Sequence, residues 1–399
     1  MLGENDGPSM LSYATTGATY GIGFFVPFVL LTFVMAFVVQ EMTVRLGTAT
    51  RRGHADLIFD RFGPFWGYFA MGDLVVGNVL TLVTEFIAIS AGCLYFGIPP
   101  YVSVLTALSL VGFAFAAKRY ATWERIVLGL AAGNLLFVPA ALLAHPDGAA
   151  LLRAAATWGP LPGGFGTGFF TLVLADIGAT VTPWMIFFQQ SAVVDKGLGR
   201  GDVRSARTDT ALGAGVAAIV AIAAIVATAP LFAHHVDVSH FASGADFATA
   251  VRPYLGGPGA TLLALGMIEA GLVAAMTIST SSAYAVGETM NVRGTFGSRL
   301  DDGGWFYLAA GLSVVVAAGI VLIPGAPLLA ITLTVNVIAT LLMAPALLFV
   351  LLLINDRELV GDLANGTRAN LAGGTIVIGI SLLGALYGVM TVFPNLFGR

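Results

Sequence analysis

Two short segments of this sequence combine a helix breaker with side-chain oxygens. One is Asn5-Asp6-Gly7-Pro8-Ser9; the other runs Gly178-Ala179-Thr180-Val181-Thr182-Pro183-Trp184. Proline lacks a backbone donor and clashes with the carbonyl four residues earlier, so each break frees carbonyl oxygens. Asp6 adds a carboxylate, and Ser9 and Thr182 add hydroxyls. Four more acids, Asp73, Glu85, Asp176 and Glu269, stand inside long apolar stretches. A carboxylate in such a setting is costly and is a functional candidate by default. Glu41 and Glu288 stand near the ends of apolar stretches, where an interfacial role suffices. No interior of these stretches holds Lys or Arg. The polar lining is therefore carboxylate, hydroxyl and amide, which suits a cation and suits an anion poorly. Hard divalent ions take oxygen ligands of this kind.

Helices that cross a bilayer must position these groups. The chain has 399 residues, 57% of them hydrophobic and 10% charged, with a mean hydropathy of +0.90. A soluble protein carries roughly 25% charged residues, so there are too few charges here to cover a water-facing surface. Apolar runs fall at 21–44, 64–96, 101–117, 123–144, 167–194, 210–233, 258–288, 304–323, 326–354 and 373–394. Most approach or exceed the roughly 20 residues a spanning helix needs. A less apolar piece from Pro8 to Tyr20 precedes them and reads as the second half of a broken helix, giving about eleven helices with the first incomplete.

The basic residues agree with that count. Fifteen of eighteen fall in alternate loops: Arg45, Arg51, Arg52 and Arg61; Lys118, Arg119 and Arg125; Lys196, Arg200, Arg204 and Arg207; Arg293 and Arg299; Arg357 and Arg368. Only Arg153, Arg252 and Arg399 fall on the other side. The positive-inside rule then predicts a multi-pass protein of the inner (plasma) membrane, with a cytoplasmic N-terminus and the C-terminus outside. No cleavable signal peptide is expected, because residues 1–7 are polar.

The broken segments open the first and sixth helices, the spacing of a five-plus-five inverted repeat, a transporter fold that places substrate at paired discontinuous helices. The expectation is one transmembrane domain, with repeat 1 at about 1–144, repeat 2 at about 167–354 and an extra helix at about 373–394. The remaining features carry less. Cys93 alone excludes an intramolecular disulfide and a Cys-rich metal site, and it reads as a small apolar helix residue. The loop cluster His234, His235, Asp237, His240 and Asp246 could collect a cation but reads as solvated loop residues. There is no H-E-x-x-H or G-x-S-x-G motif to suggest an enzyme, and no sign of a cofactor or of nucleic-acid binding. The partners expected are a divalent metal ion, as substrate, and the lipid bilayer; the sequence sets no oligomeric state.

With those residues in view, the chain resembles the Nramp family of divalent metal transporters. The family's first helix carries D-P-G-N and a stretch ending A-S-Y-G; here stand Asp6-Gly7-Pro8-Ser9 and Ala18-Thr19-Tyr20-Gly21. The family's sixth helix reads G-A-T-V-M-P-H, with Thr182 and Trp184 replacing the methionine and histidine here. Ser279-Thr280-Ser281-Ser282 and Val286-Gly287-Glu288 resemble an eighth-helix motif. Asn336, counted back from Asn355-Asp356-Arg357, falls where the family has a tenth-helix glutamine. The resemblance implies metal ligands at Asp6, Ser9, Ala179 (through its carbonyl), Thr182 and Asn336, helix breaks at Gly7, Pro8, Gly178 and Pro183, and a proton-route glutamate at Glu85. Trp184, Asp176 and Glu269 join Glu85 as gating or proton-route candidates.

The departures are as informative. A thioether favours transition metals over Mg2+, and Thr182 offers only a hydroxyl. Trp184 cannot titrate, and Leu82 stands where the family carries an aspartate. This pattern is similar to the Nramp-related magnesium transporters, described as moving Mg2+ without proton coupling. The resemblance also implies a further half-helix before Asp6, so a shortened chain is the expectation. The alternatives are a proton-coupled Mn2+/Fe2+ symporter, an amino-acid carrier on the same fold, or a uniport pore.

Overall fold

Leucine, valine, alanine and phenylalanine fill the apolar runs, and in lipid such runs must satisfy every backbone N–H and C=O internally. The computed structural model, which describes residues 4–115, 120–159, 161–162, 164–290 and 300–392, accordingly contains helices and no strand among those residues. Nine helical segments among them are long and apolar enough to span a membrane. The helices are α1 (Gly7–Tyr20), α2 (Phe25–Thr50), α3 (His54–Phe62), α4 (Pro64–Tyr95), α5 (Pro100–Ala114) and α6 (Tyr120–Ala131). A 3-10 segment, Ala132–Leu136, joins α6 to α7 (Phe137–Leu143). There follow α8 (Gly148–Thr157), α9 (Thr167–Thr180), α10 (Pro183–Asp195), α11 (Val203–Ala233), α12 (Gly244–Thr289), α13 (Leu300–Val321), α14 (Leu328–Asn355), α15 (Arg357–Val360) and α16 (Thr367–Val392).

The boundaries follow local chemistry. Pro64 and Pro100 open α4 and α5, where a missing N–H leaves nothing unpaired. Gly21 and Gly63 stop α1 and α3 with φ of 67° and 87°. The stretches 145–166 and 234–257, which lie between apolar runs, are partly helical among the described residues. Asp147 caps α8 through the N–H of Ala149, and Asp246 accepts from the N–H groups of Ala242 and Ser243 at the start of α12. Hydropathy alone does not register short capped helices of this kind. Gly256 (φ 71°) then kinks α12 before Pro258. Lys118, Arg119, Arg293, Arg299 and Arg399 lie outside the described residues.

Small residues set the packing around α1, as they do in membrane bundles generally. Residues Gly7 to Ala18 are all buried. A Cβ at Gly17 would come within 2.3 Å of the Ile225 carbonyl oxygen, so α1 rests backbone to backbone on α11. Likewise α4 presses on α12, where a Cβ at Gly271 would meet the Glu85 carbonyl at 2.9 Å.

The end bearing most arginines is tied by polar contacts. Glu41 lies between Arg45 and Arg207, joining α2 to α11. Glu288 accepts from Ser191 Oγ (2.6 Å) and the Ala55 N–H (3.2 Å), fixing the turn after α2. His54 Nδ1 pairs with Gln190 Oε1 at 3.0 Å, and burial pushes this imidazole down to about 4. It is therefore neutral at pH 7, with Nδ1 as donor.

Candidate metal site at two helix breaks

Asp6 holds an extended backbone (φ −79°, ψ 170°) and caps α1. Its Oδ1 accepts the Ser9 N–H at 2.8 Å and also meets the Ser9 hydroxyl. In the second break, Val181 and Thr182 are extended between α9 and α10 (φ −122° and −123°). Ser9 Oγ lies 2.7 Å from the Ala179 carbonyl oxygen. The serine hydroxyl thus has one proton and two acceptors within reach. Three oxygens from both breaks, one of them a carboxylate oxygen, converge with a single hydroxyl proton among them. A cation relieves such an arrangement. Thr182 Oγ1, buried beside them in sequence, has no hydrogen-bond partner among the described residues.

Gly178 lets α14 reach these breaks. A Cβ there would come within 2.0 Å of the Asn336 carbonyl oxygen and 2.5 Å of Thr340 Oγ1. Thr340 in turn donates to the Leu174 carbonyl (2.8 Å), and Asn336 Nδ2 donates to the Pro8 carbonyl (3.2 Å). The amide expected to approach the ion from the tenth helix therefore touches the first break directly. Gly7 plays the matching part toward α4, since a Cβ there would lie 2.3 Å from that of Ala88.

The four gating or proton-route candidates fall in different places. Glu85 Oε2 accepts the Gly7 N–H at 3.0 Å, while Oε1 is buried without a partner among the described residues. Trp184 is buried, its Nε1 has no partner among the described residues, and its carbonyl accepts from Ser281 Oγ (3.0 Å). Asp176 lies on α9 against Ser12 and Thr16 of α1. Glu269 faces away from the breaks: a Cβ at Gly133 would meet its Cγ at 2.6 Å, on the α6–α7 side. In the eighth-helix motif, Ser281 reaches α10 and Ser282 accepts from Asn78 (2.9 Å), whereas Ser279 and Thr280 bond their own helix. The histidine-rich loop does not converge. His234 stacks on Tyr254, His240 pairs with Asp237, and Asp246 caps α12. Among the described residues, no group of three or more His, Cys, Asp or Glu could hold a metal ion.

Sequence reasoning missed one group at the break. Met185 Sδ accepts the Thr182 N–H at 3.0 Å, so a thioether borders a segment read as all oxygen. Long helical side chains lean toward their own N-terminus, which was the available signal for a methionine three residues past Thr182. Tyr13, whose hydroxyl meets Thr180 Oγ1 at 2.7 Å, was missed as well.

Among the described residues the chain is all helical, and the start of α1 meets the α9–α10 break, the arrangement of an inverted-repeat transporter fold with discontinuous helices. The family model described as natural resistance-associated macrophage protein-like (Nramp) matches residues 1–390, and the chain belongs to that family, whose members are transporters rather than enzymes. It is similar to the divalent metal cation transporter MntH of Yersinia pestis (strain Pestoides F), 28% identical over 362 residues, covering 86% of this chain and 82% of the relative. The MntH of Pectobacterium carotovorum is 25% identical over 367 residues, covering 86% and 81%. In fold, the chain resembles the Eremococcus coleocola manganese transporter, with a TM-score of 0.77, 18% identity and coverage of 100% of this chain and 86% of that one. It also resembles MhsT solved with L-phenylalanine, with a TM-score of 0.56, 13% identity and coverage of 96% and 97%.

Proposed function

We propose that this chain moves a divalent metal cation, Mg2+ or Mn2+, across the membrane by alternating access and without tight proton coupling. The observation that carries this reading is the convergence of Asp6 Oδ1, Ser9 Oγ and the Ala179 carbonyl around one hydroxyl proton. Asn336 and Thr182 complete the set of candidate ligands, and the relatives named as metal transporters support it. Repeat 1 is read at about 1–144 and repeat 2 at about 167–354, with residues 373–394 outside both. The membrane is the plasma membrane, the end rich in arginine is cytoplasmic, and the C-terminus lies outside.

A set with one carboxylate and neutral oxygens holds a partly hydrated ion, which suits Mg2+ because it usually retains several waters. Mn2+ binds the same oxygens, and Ca2+, which prefers more direct ligands, binds more weakly. Competition among Mg2+, Mn2+ and Ca2+ for flux into liposomes tests this order; Ca2+ outcompeting the other two would refute it. Thr182→Met is expected to raise preference for Cd2+ over Mg2+ about tenfold, roughly 1.4 kcal/mol. Met185→Leu is expected to lower Cd2+ competition without altering that of Mg2+. Unchanged ratios in both variants would place neither side chain at the ion.

Among the described residues, Glu85 is the acid besides Asp6 whose side chain accepts from a broken segment, and Trp184 and Leu82 offer no proton. Metal entry into liposomes loaded with a pH-sensitive dye should therefore proceed without acidification beyond the leak. The competing reading, a proton-coupled transition-metal symporter, is favoured by the Met185 sulfur and by Glu85 Oε1, which has no partner among the described residues. Proton influx matched in time to metal entry would establish it instead.

A further inference from the structure

Asp176 is fully buried on α9, and each of its carboxylate oxygens accepts a hydroxyl from α1: Oδ1 from Ser12 (2.6 Å) and Oδ2 from Thr16 (3.0 Å). Ser12 and Thr16 are fully buried too. No Arg, Lys or His makes an ion pair with Asp176 among the described residues. A charge held this way is expensive unless something positive joins it. A clasp between α1 and α9 would need only an amide, so the carboxylate has a further role.

Position suggests the role. Ser9, Ser12 and Thr16 lie three or four residues apart, on one face of α1. Thr16 stands about 10 Å along the helix axis from Ser9, at 1.5 Å per residue. Thr19 continues the stripe, and with Thr15 it lines a vestibule of about 640 Å3 at the end away from the arginines. Leu333 of α14 also lines this vestibule, one turn from Asn336. Hydroxyls therefore run from the vestibule to the breaks, with Asp176 partway. Each hydroxyl that donates to Asp176 keeps its own lone pairs, so carboxylate and hydroxyls together offer a set of hard oxygen donors.

We propose that Asp176, Ser12 and Thr16 form a second, weaker divalent-cation site, a relay between the vestibule and the site at Asp6. The inference rests on the reading of Asp6, Ser9 and Ala179 as the transport site, and the test separates the two. Mn2+ binding to the purified full chain would be counted by equilibrium dialysis. Wild type should take two ions per chain, one tight and one weak. Asp176→Asn, which preserves size and can accept from one hydroxyl while its NH2 donates to the other, should lose the weak ion and keep the tight one. Asp6→Asn should do the reverse. Thr16→Val, similar in shape but without the hydroxyl, should weaken the second ion about fivefold and serves if Asp176→Asn folds poorly. A wild type that takes one ion, lost in Asp6→Asn and kept in Asp176→Asn, would overturn the relay while leaving the transport site standing. Two ions retained by Asp176→Asn would overturn it as well. No Mn2+ bound by any variant would remove both.

Discussion

Asp6→Ala is expected to abolish saturable divalent uptake and to weaken Mn2+ binding on the order of 100-fold, about 2.7 kcal/mol. Asp6 is the only acidic side chain within either broken segment, and its Oδ1 meets the Ser9 hydroxyl that also reaches the Ala179 carbonyl. The same carboxylate caps α1, and losing a cap costs about 1 kcal/mol. Asp6→Asn separates the two effects, because Asn caps a helix about as well as Asp. The Asn variant should keep the wild-type melting temperature in detergent and still fail to bind Mn2+ tightly. Wild-type uptake by Asp6→Asn would remove the proposed site.

Gly178→Ala is the second change with a large expected effect. The new Cβ would sit 2.0 Å from a backbone oxygen of Asn336 and 2.5 Å from Thr340 Oγ1. The first of these belongs to the main chain and cannot rotate away, so α9 and α14 must separate. Overpacking of this kind typically costs 1–3 kcal/mol. Here it also moves Asn336 off the Pro8 carbonyl and disturbs the Thr340–Leu174 bond. Uptake should fall at least about tenfold, with a lower melting temperature. Gly215→Ala on α11 is the control: a Cβ there meets nothing within 4 Å, and both readouts should stay near wild type. Equal tolerance at the two glycines would mean that the contact of α14 with the second break does not matter to transport.

Much of this was legible in the sequence because lipid imposes simple rules. Apolar run length marked the spanning helices, and proline beside glycine and small polar residues marked the two breaks. Other features depend on which face of a helix meets which neighbour, and hydropathy carries no face. Glu85 and Glu269 look alike in sequence, yet one accepts the Gly7 N–H and the other turns toward Gly133. Ser279 and Ser281 belong to one motif, but only Ser281 crosses to α10. Met185 lies one residue past the motif, which ends at Trp184, and only the helical fold-back of its side chain brings Sδ onto the Thr182 N–H. The stripe Ser9, Ser12, Thr16 gains a partner only through packing, which sets Asp176 of α9 against Ser12 and Thr16.

Mn2+ influx into liposomes bearing the purified chain, measured over a range of Mn2+ with and without competing Mg2+, tests the central claim most directly. Saturable influx that Mg2+ suppresses, and that Asp6→Asn lacks, is the predicted result. Influx that rises linearly with Mn2+, ignores Mg2+ and persists in Asp6→Asn would contradict it.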